Sequence, residues 1–229
     1  MWDSLEMEGY DRRAGFNSMR MAFFGSDRND ARELRRKLAF HDLGVTVASL
    51  SFSRRRRSSS APPTPWVEID LGETSPRAYG KRLFAIVRAI TRIWALRGAL
   101  ASADVFYAIN ADSALLALAA GCLTRRRSPL VVEIADIQPV MRSNSTKGVI
   151  FRFLERRVLH HTAILVTTSP RYVAEYFSRQ RIATEIYILE NKLYPRLRLD
   201  GLLPRVHQPA RPIVIGLVGL LKCVESWSL

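Results

Sequence analysis

Residues 19–51 read MRMAFFGSDRNDARELRRKLAFHDLGVTVASLS, and this stretch decides the fold class. The apolar run Met19–Gly25 predicts a buried strand that ends in glycine, and Val45–Ser51 predicts a second strand. Between them, Asn29–Leu43 has the apolar spacing of an amphipathic helix, which Gly44 ends. A strand, a helix and a strand in this order predict a βαβ unit with parallel strands.

The helix of this unit has an apolar face and a basic face. Ala31, Leu34 and Leu38 share the apolar face, and the arginine and lysine residues are predicted on the other side. We therefore expect the apolar face to pack on the sheet and the basic face to meet solvent.

The same alternation of strand and helix continues along the chain. Further strands are predicted at Trp66–Asp70, Asp104–Ile109, Pro129–Ile134, Ala163–Thr168 and Glu185–Leu189. Further helices are predicted at Tyr79–Arg97, Ser113–Cys122, Lys147–His160 and Pro170–Ser178, with Asp112 and Ser169 as N-caps. This order predicts an α/β fold: a Rossmann-like, mostly parallel sheet with helices on both faces.

The composition divides the chain into four parts. Residues 1–18 are acidic and lack the apolar core of a secretory signal, so a disordered leader is predicted there. Residues 19–194 form the predicted Rossmann-like domain, and the proline-rich residues 195–211 a linker. Residues 212–229 predict the first strand and helix start of a second domain, so we expect a chain truncated at that point.

The formal net charge of +14 favours anionic partners. The runs Arg54–Arg57 and Arg125–Arg127 fall in predicted loops, and the helix Tyr79–Arg97 contains no acidic residue. Three interpretations stay open: a solvated basic face, contact with an anionic membrane surface, or binding of nucleic acid phosphates. No stretch approaches the roughly 20 apolar residues of a membrane span.

Several chemistries lack their sequence motif. No Gly-x-Gly occurs, which argues against a dinucleotide fingerprint, and no phosphate-binding P-loop is present. No Asp-x-Asp pair occurs, and the two cysteines, Cys122 and Cys223, cannot build a zinc cluster. We therefore expect neither a metal ion nor a cofactor.

Polar residues follow the predicted strands at the edge where parallel sheets bind their ligands. They are Gly25, Ser26, Asn110, Asp112, Glu133, Asp136, Asn191 and Lys192. Glu133 is the most informative, because an unpaired carboxylate at the end of an apolar strand would be costly to bury. For Asp112 an N-cap role is an equal alternative, and for Asn191-Lys192 an ordinary turn.

The block from Asp104 to Tyr194 resembles the acceptor-side domain of family 4 glycosyltransferases, which have the GT-B fold. The segments that carry the resemblance are Asp104–Asn110 with Asp112, Val131–Pro139, Phe153–Leu159, Ala163–Ser169, Glu190–Lys192 and Ile215–Lys222. Three features depart from the family pattern. Ala135 stands where many members have histidine, and a single Gly25 followed by Ser26 and Asp27 stands where the family has a pair of glycines. The paired glutamates of the donor domain have no counterpart.

The resemblance implies transfer of a sugar from a nucleotide-sugar to a glycan or lipid-linked acceptor, at the cytoplasmic face of the plasma membrane. The polar residues after the strands would bind the acceptor, while Gly219 and Lys222 would bind the donor without a metal ion. Two alternatives remain open at this stage: a basic nucleic-acid-binding protein, and a non-catalytic half-enzyme that only binds. No nucleic acid partner is expected, because no known DNA- or RNA-binding motif is present and the basic residues are not expected to be interleaved with exposed aromatic ones.

Overall fold

The computed structural model describes residues 19–54, 64–74, 79–125, 128–180 and 182–190. All of them belong to a unit that ends at Tyr194. The predicted leader, linker and start of a second domain lie outside the described residues, so the domain boundaries stay predictions.

Within the described residues, seven parallel strands form one sheet in the order β3-β2-β1-β4-β5-β6-β7. The strands are β1 Arg20–Gly25, β2 Thr46–Arg54, β3 Val67–Thr74, β4 Val105–Ile109, β5 Leu130–Ile134, β6 Ile164–Thr167 and β7 Glu185–Ile188. Each strand predicted within residues 19–194 is present, and the prediction of a parallel Rossmann-like sheet is confirmed.

The helices alternate with the strands as predicted. They are α1 Ala31–Asp42, α2 Tyr79–Ala95, α3 Arg97–Leu100, α4 Asn110–Thr124, α5 Pro139–Arg142, α6 Thr146–Leu159 and α7 Pro170–Tyr172. The chain after α7 continues as a π turn, Val173–Phe177, and a 3₁₀ turn, Ser178–Gln180. Ser169 caps α7 as predicted, because its side chain accepts from the Arg171 N–H. The sequence did not predict α5 or the separation of α3 from α2.

Helices cover both faces of the sheet. On one face Phe24 and Phe106 belong to a core that includes buried residues of α2, α4 and α6, and α4 contacts both other helices. On the other face Phe23 and Tyr107 stack with ring centroids 5.3 Å apart, beneath α1. Successive side chains along each strand point to opposite faces of the sheet, so the sheet is buried between two apolar layers.

The prediction that the basic face of α1 meets solvent is wrong for Lys37. That side chain is 0% exposed, whereas Leu34 and Leu38 are only partly buried. Lys37 Nζ lies 3.1 Å from both Ser49 Oγ and Glu68 Oε2, so its charge is paired. The hydrogen bond and the ion pair offset the free-energy cost of removing this cation from water. Hydrophobic periodicity takes no account of such partners and therefore assigns a lysine to the solvent side.

The prediction that Asp112 is an N-cap is also wrong. Helix α4 begins three residues earlier than predicted, at Asn110, and its N-cap is Ile109, which makes no side-chain capping bond. Asp112 instead lies in the first turn, where a carboxylate interacts favourably with the helix dipole.

Candidate functional site

The strand order reverses between β1 and β4, and this defines where a ligand would bind. From β1 the chain proceeds through β2 and β3 on one side, and from β4 through β7 on the other. Open parallel sheets bind ligands outside the carboxyl ends of the strands at such a point. We call this edge of the sheet, formed by residues 25–27, 110–113 and 133–136, the carboxyl edge.

The structure brings six of the predicted acceptor residues to the carboxyl edge. They are Gly25, Ser26, Asn110, Asp112, Glu133 and Asp136. The other predicted site residues, Asn191, Lys192, Gly219 and Lys222, lie outside the described residues. Their roles, like those of the first six, stay predictions.

Gly25 ends β1 at a point where no larger residue fits. A Cβ at this position would lie 2.3 Å from Glu33 Oε2 and 2.4 Å from Ser51 Oγ. All three residues are buried. The missing side chain therefore lets α1 approach the end of β1.

Glu33 fixes the loop that follows β1. Its Oε1 accepts hydrogen bonds from Ser26 N at 3.0 Å, Ser26 Oγ at 2.7 Å and Asp27 N at 3.3 Å. The side chain is fully buried, and this burial raises the pKa of Glu33 to about 7. The loop is thus held by a carboxylate that titrates near neutrality.

Carboxylates surround the N-terminus of α1. Asp30 caps the helix, and its Oδ1 accepts from Arg32 N at 2.9 Å and Glu33 N at 3.3 Å. Buried Asp27 precedes it by one turn. In many Rossmann-like proteins a helix N-terminus at this place binds phosphate through free N–H groups. Here those groups are bonded to acids, so the corner suits a neutral, hydroxyl-bearing ligand better than an anion.

Glu133 is the centre of a buried cluster. It is 0% exposed, and its Oε2 accepts from Tyr107 Oη at 2.6 Å and Arg36 Nε at 3.0 Å. Arg32 Nε lies 3.8 Å from its other oxygen. These partners offset the cost of burying the Glu133 carboxylate. Burial of Tyr107 raises the pKa of its hydroxyl, and the neighbouring Glu133 carboxylate raises it further.

Sequence reasoning missed the partners of Glu133. Arg32 and Arg36 are four residues apart on α1, and Arg36 Nη2 also donates to Leu189 O at 3.4 Å, beyond the end of β7. Two arginines one helical turn apart are a recognisable signal. The pairing of Arg36 with a residue 97 positions away required the topology of the sheet.

Asn110 has an unusual backbone conformation. Its φ of 65° lies in the left-handed region, where Asn is tolerated better than most residues. It is half-buried at the point where β4 turns directly into α4. Such strained positions concentrate at ligand-binding sites, which supports its place among the candidate residues.

The end of β5 carries the exposed residue Asp136. Thr168 Oγ1 donates to Ala135 O at 3.1 Å, which ties the loop after β5 to the loop after β6. Asp136 thereby extends from an anchored backbone. Among the described residues no group of three or more potential metal ligands comes together.

The geometry can be compared with known proteins. Residues 28–191 match the family described as Glycosyl transferase 4-like domain. The chain belongs to this family. The match covers α1 and every strand after β1, so it includes most of the carboxyl edge.

A curated relative is the succinoglycan biosynthesis protein ExoL of Rhizobium meliloti (strain 1021). The two sequences are 27% identical over 220 residues, which is 92% of this chain and 53% of the relative. The chain therefore spans about half the length of that protein.

The fold also resembles solved structures. Sucrose-phosphate synthase from Thermosynechococcus elongatus superposes with a TM-score of 0.56 at 13% identity, over 75% of this chain and 48% of the enzyme. A second solved structure of the same enzyme gives a TM-score of 0.53 at 12% identity, over 76% of this chain and 90% of that chain. The expected family and the Rossmann-like half of a GT-B fold are both confirmed.

Proposed function

We propose that this chain is the acceptor-side part of a glycosyltransferase that transfers a sugar from a nucleotide-sugar to a glycan or lipid-linked acceptor. Membership of the glycosyl transferase 4-like family supports transfer over the nucleic-acid-binding alternative. The relative named for succinoglycan biosynthesis supports a pathway of polysaccharide or glycolipid assembly.

One observation carries the assignment of the carboxyl edge to the acceptor. The α1 N-terminus there is capped by Asp30, with Asp27 and Glu33 beside it. Carboxylates accept hydrogen bonds from sugar hydroxyls but repel a diphosphate. The nucleotide is accordingly assigned to the predicted second domain, with Gly219 and Lys222 as its candidate partners.

The reaction forms a bond between an acceptor oxygen and the anomeric carbon of the donor, and the nucleoside diphosphate leaves with the electron pair of the broken bond. The acceptor hydroxyl loses its proton during this step. Positive charge at Lys222 would stabilise the leaving diphosphate, so no metal ion is required in this proposal. Asn110 and Asp136 would orient the acceptor by hydrogen bonds.

The test is an assay of nucleoside diphosphate release. The full chain is incubated with a panel of nucleotide-sugars, with and without glycan acceptors and a bacterial membrane-lipid extract. We expect acceptor-dependent release with one donor, a large loss in Lys222→Ala, and a smaller loss in Asp136→Asn. Asp104→Asn is the matched control, because Asp104 is exposed at the opposite, amino edge and accepts from Arg20 N. Release that is independent of acceptor, or absent with every donor, contradicts the activity of this chain.

We propose further that α2 places the protein on the cytoplasmic face of an anionic membrane. Phe84, Val87 and Trp94 of this helix are exposed by 70%, 56% and 55%. Arg88 and Arg92 lie on the same helix, and the sequence of α2 contains no acid. Exposed aromatic and basic residues together are typical of a helix lying in a membrane interface. No described helix is both long enough and apolar enough to span a bilayer.

Liposome flotation tests this second proposal. We expect the chain to float with vesicles of phosphatidylcholine and phosphatidylglycerol, and to remain at the bottom with phosphatidylcholine alone. Trp94→Ser should reduce flotation, whereas Phe153→Ser, which removes an equally exposed aromatic residue from α6, is the matched control. Equal flotation with both lipids, or equal loss in both variants, would contradict a specific role of α2.

A further inference from the structure

A separate cavity lies beside α2, at the carboxyl end of the edge strand β3. It measures about 640 Å³ and is open to solvent. Its lining residues come from the end of β3 and from one side of α2: Leu71, Gly72, Glu73, Phe84, Ala85, Arg88 and Arg92. Neither the carboxyl edge at β1 and β4 nor the proposed transfer chemistry uses it.

The α2 side of this cavity combines charge with apolar surface. Phe84, Arg88 and Arg92 recur every four residues, so they form one row along the helix. Arg92 Nη1 donates to the backbone oxygen of Asp70, which anchors the guanidinium and leaves its other N–H groups for a ligand. In the described part of the chain no carboxylate lies at ion-pair distance from Arg88, which is exposed.

The base of the cavity is apolar. Leu71 is almost completely buried and Ala85 is nearly so. Phe84 lines the cavity and is also largely exposed, so it continues the apolar surface outward along α2. A ligand with a charged end between the arginines could therefore lay an apolar chain over Phe84.

We propose that this cavity binds the phosphate of a single-chain lipid acceptor, with the phosphate between Arg88 and Arg92 and the chain across Phe84. Two arginines outnumber the one acid of the lining, Glu73. They match a doubly charged phosphate monoester or a diphosphate better than the singly charged phosphodiester of a bilayer phospholipid. The inference rests on the proposed transferase function, because it names the lipid-linked class of acceptor.

The test is calorimetric titration of the full chain with n-octyl phosphate, inorganic phosphate, 1-octanol and dihexanoyl phosphatidylglycerol. We expect one site for octyl phosphate, with affinity at least about tenfold above that for each other probe, because only octyl phosphate supplies both a dianion and a chain. Equal affinity for inorganic phosphate would overturn the role of Phe84. Equal affinity for dihexanoyl phosphatidylglycerol would assign the cavity to membrane phospholipid and overturn the acceptor assignment.

Variants locate the site. Arg88→Gln should weaken octyl phosphate binding about tenfold, the loss typical of a charge-assisted hydrogen bond. Phe84→Ser should weaken octyl phosphate binding and leave inorganic phosphate binding unchanged. Arg157→Gln removes an equally basic side chain that lies over Phe153 on α6, 5.5 Å from its ring centroid, and should have no effect. An equal loss in Arg157→Gln and Arg88→Gln would show unspecific charge attraction and overturn the proposal.

The outcome is separable from that of the transfer assay. The titration contains neither a nucleotide-sugar nor a sugar acceptor, so binding can be found where transfer is not. Conversely, transfer to a lipid-linked acceptor that Arg88→Gln leaves unchanged would keep the proposed function and exclude this cavity from it.

Discussion

Arg36 Nε lies 3.0 Å from Glu133 Oε2 and joins α1 to β5 beside the switch point of the sheet. Tyr107 Oη, from the neighbouring strand β4, donates to the same oxygen at 2.6 Å. A charged residue inside a parallel sheet is thus converted into a cross-link between one helix and two strands. This cross-link is part of what holds the carboxyl edge in place.

Glu133→Gln should lower the free energy of unfolding by about 3 kcal/mol, because it leaves Arg36 without its counter-charge. Tyr107→Phe removes only one hydrogen bond to the same oxygen and should cost about 1–2 kcal/mol. Urea denaturation monitored by circular dichroism measures both. A Glu133→Gln protein as stable as the wild type would show that the ion pair contributes nothing.

Gly25→Ala should destabilise the protein by about 1–3 kcal/mol, since the new Cβ would clash with the buried Glu33 and Ser51 oxygens. Gly98→Ala is the matched control, because a Cβ there meets nothing within 4 Å. Its position in the short helix α3 makes it neutral or stabilising by up to about 1 kcal/mol. Thermal unfolding compares the two, and equal changes in Tm would refute the close approach of α1 to β1.

Glu33 should make stability depend on pH. Burial raises its pKa from 4.5 to about 7, although the hydrogen bonds from Ser26 lower it. The nearby Asp30 adds to the rise, and Lys37 opposes it. The folded state therefore binds the proton more tightly than the unfolded state. The contribution of protonated Glu33 to the free energy of unfolding is fully present below pH 4.5 and is lost as the pH rises through about 7.

Glu33→Gln should remove this dependence, because glutamine keeps an acceptor for the N–H groups of Ser26 and Asp27 but does not ionise. At pH 8 the variant should be more stable than the wild type by on the order of 3 kcal/mol, and near pH 4 the difference should nearly vanish. Urea denaturation at the two pH values checks this. Parallel pH profiles for both proteins would refute the assignment.

Lys37→Met should cost about 3 kcal/mol, because it leaves Glu68 without its buried cation. The double variant Lys37→Met with Glu68→Gln removes both charges and should recover much of that loss. A double-mutant cycle in urea measures the coupling. Additive effects would mean that the two side chains do not interact.

The sequence predicted the sheet well because its signals are local. Apolar runs such as Met19–Gly25 and the Ser169-Pro170 helix start depend only on neighbouring residues. The prediction for α1 failed in part, because hydrophobic periodicity assigns Glu33 and Lys37 to solvent. Their burial depends on Ser26 and Glu68, which only the folded chain brings to them.

The candidate site was predictable in position but not in detail. The rule that ligands bind at carboxyl ends of parallel strands selected Gly25, Asn110 and Asp136 from the sequence. The neutralisation of Glu133 by Arg36 was not predictable, because a partner 97 residues away leaves no local signal. The cavity beside α2 was likewise not predictable, although its arginines belong to a helix without acidic residues.

Binding of a sugar acceptor at the carboxyl edge is tested most directly by titrating the ¹⁵N-labelled full chain with neutral mono- to tetrasaccharides and following its amide resonances. We predict saturable shifts at Ser26, Asp27 and Asn110, and none at Arg20 or Asp104 of the amino edge. Saccharide binding that shifts the amino edge, or leaves Ser26, Asp27 and Asn110 unmoved, would contradict the account.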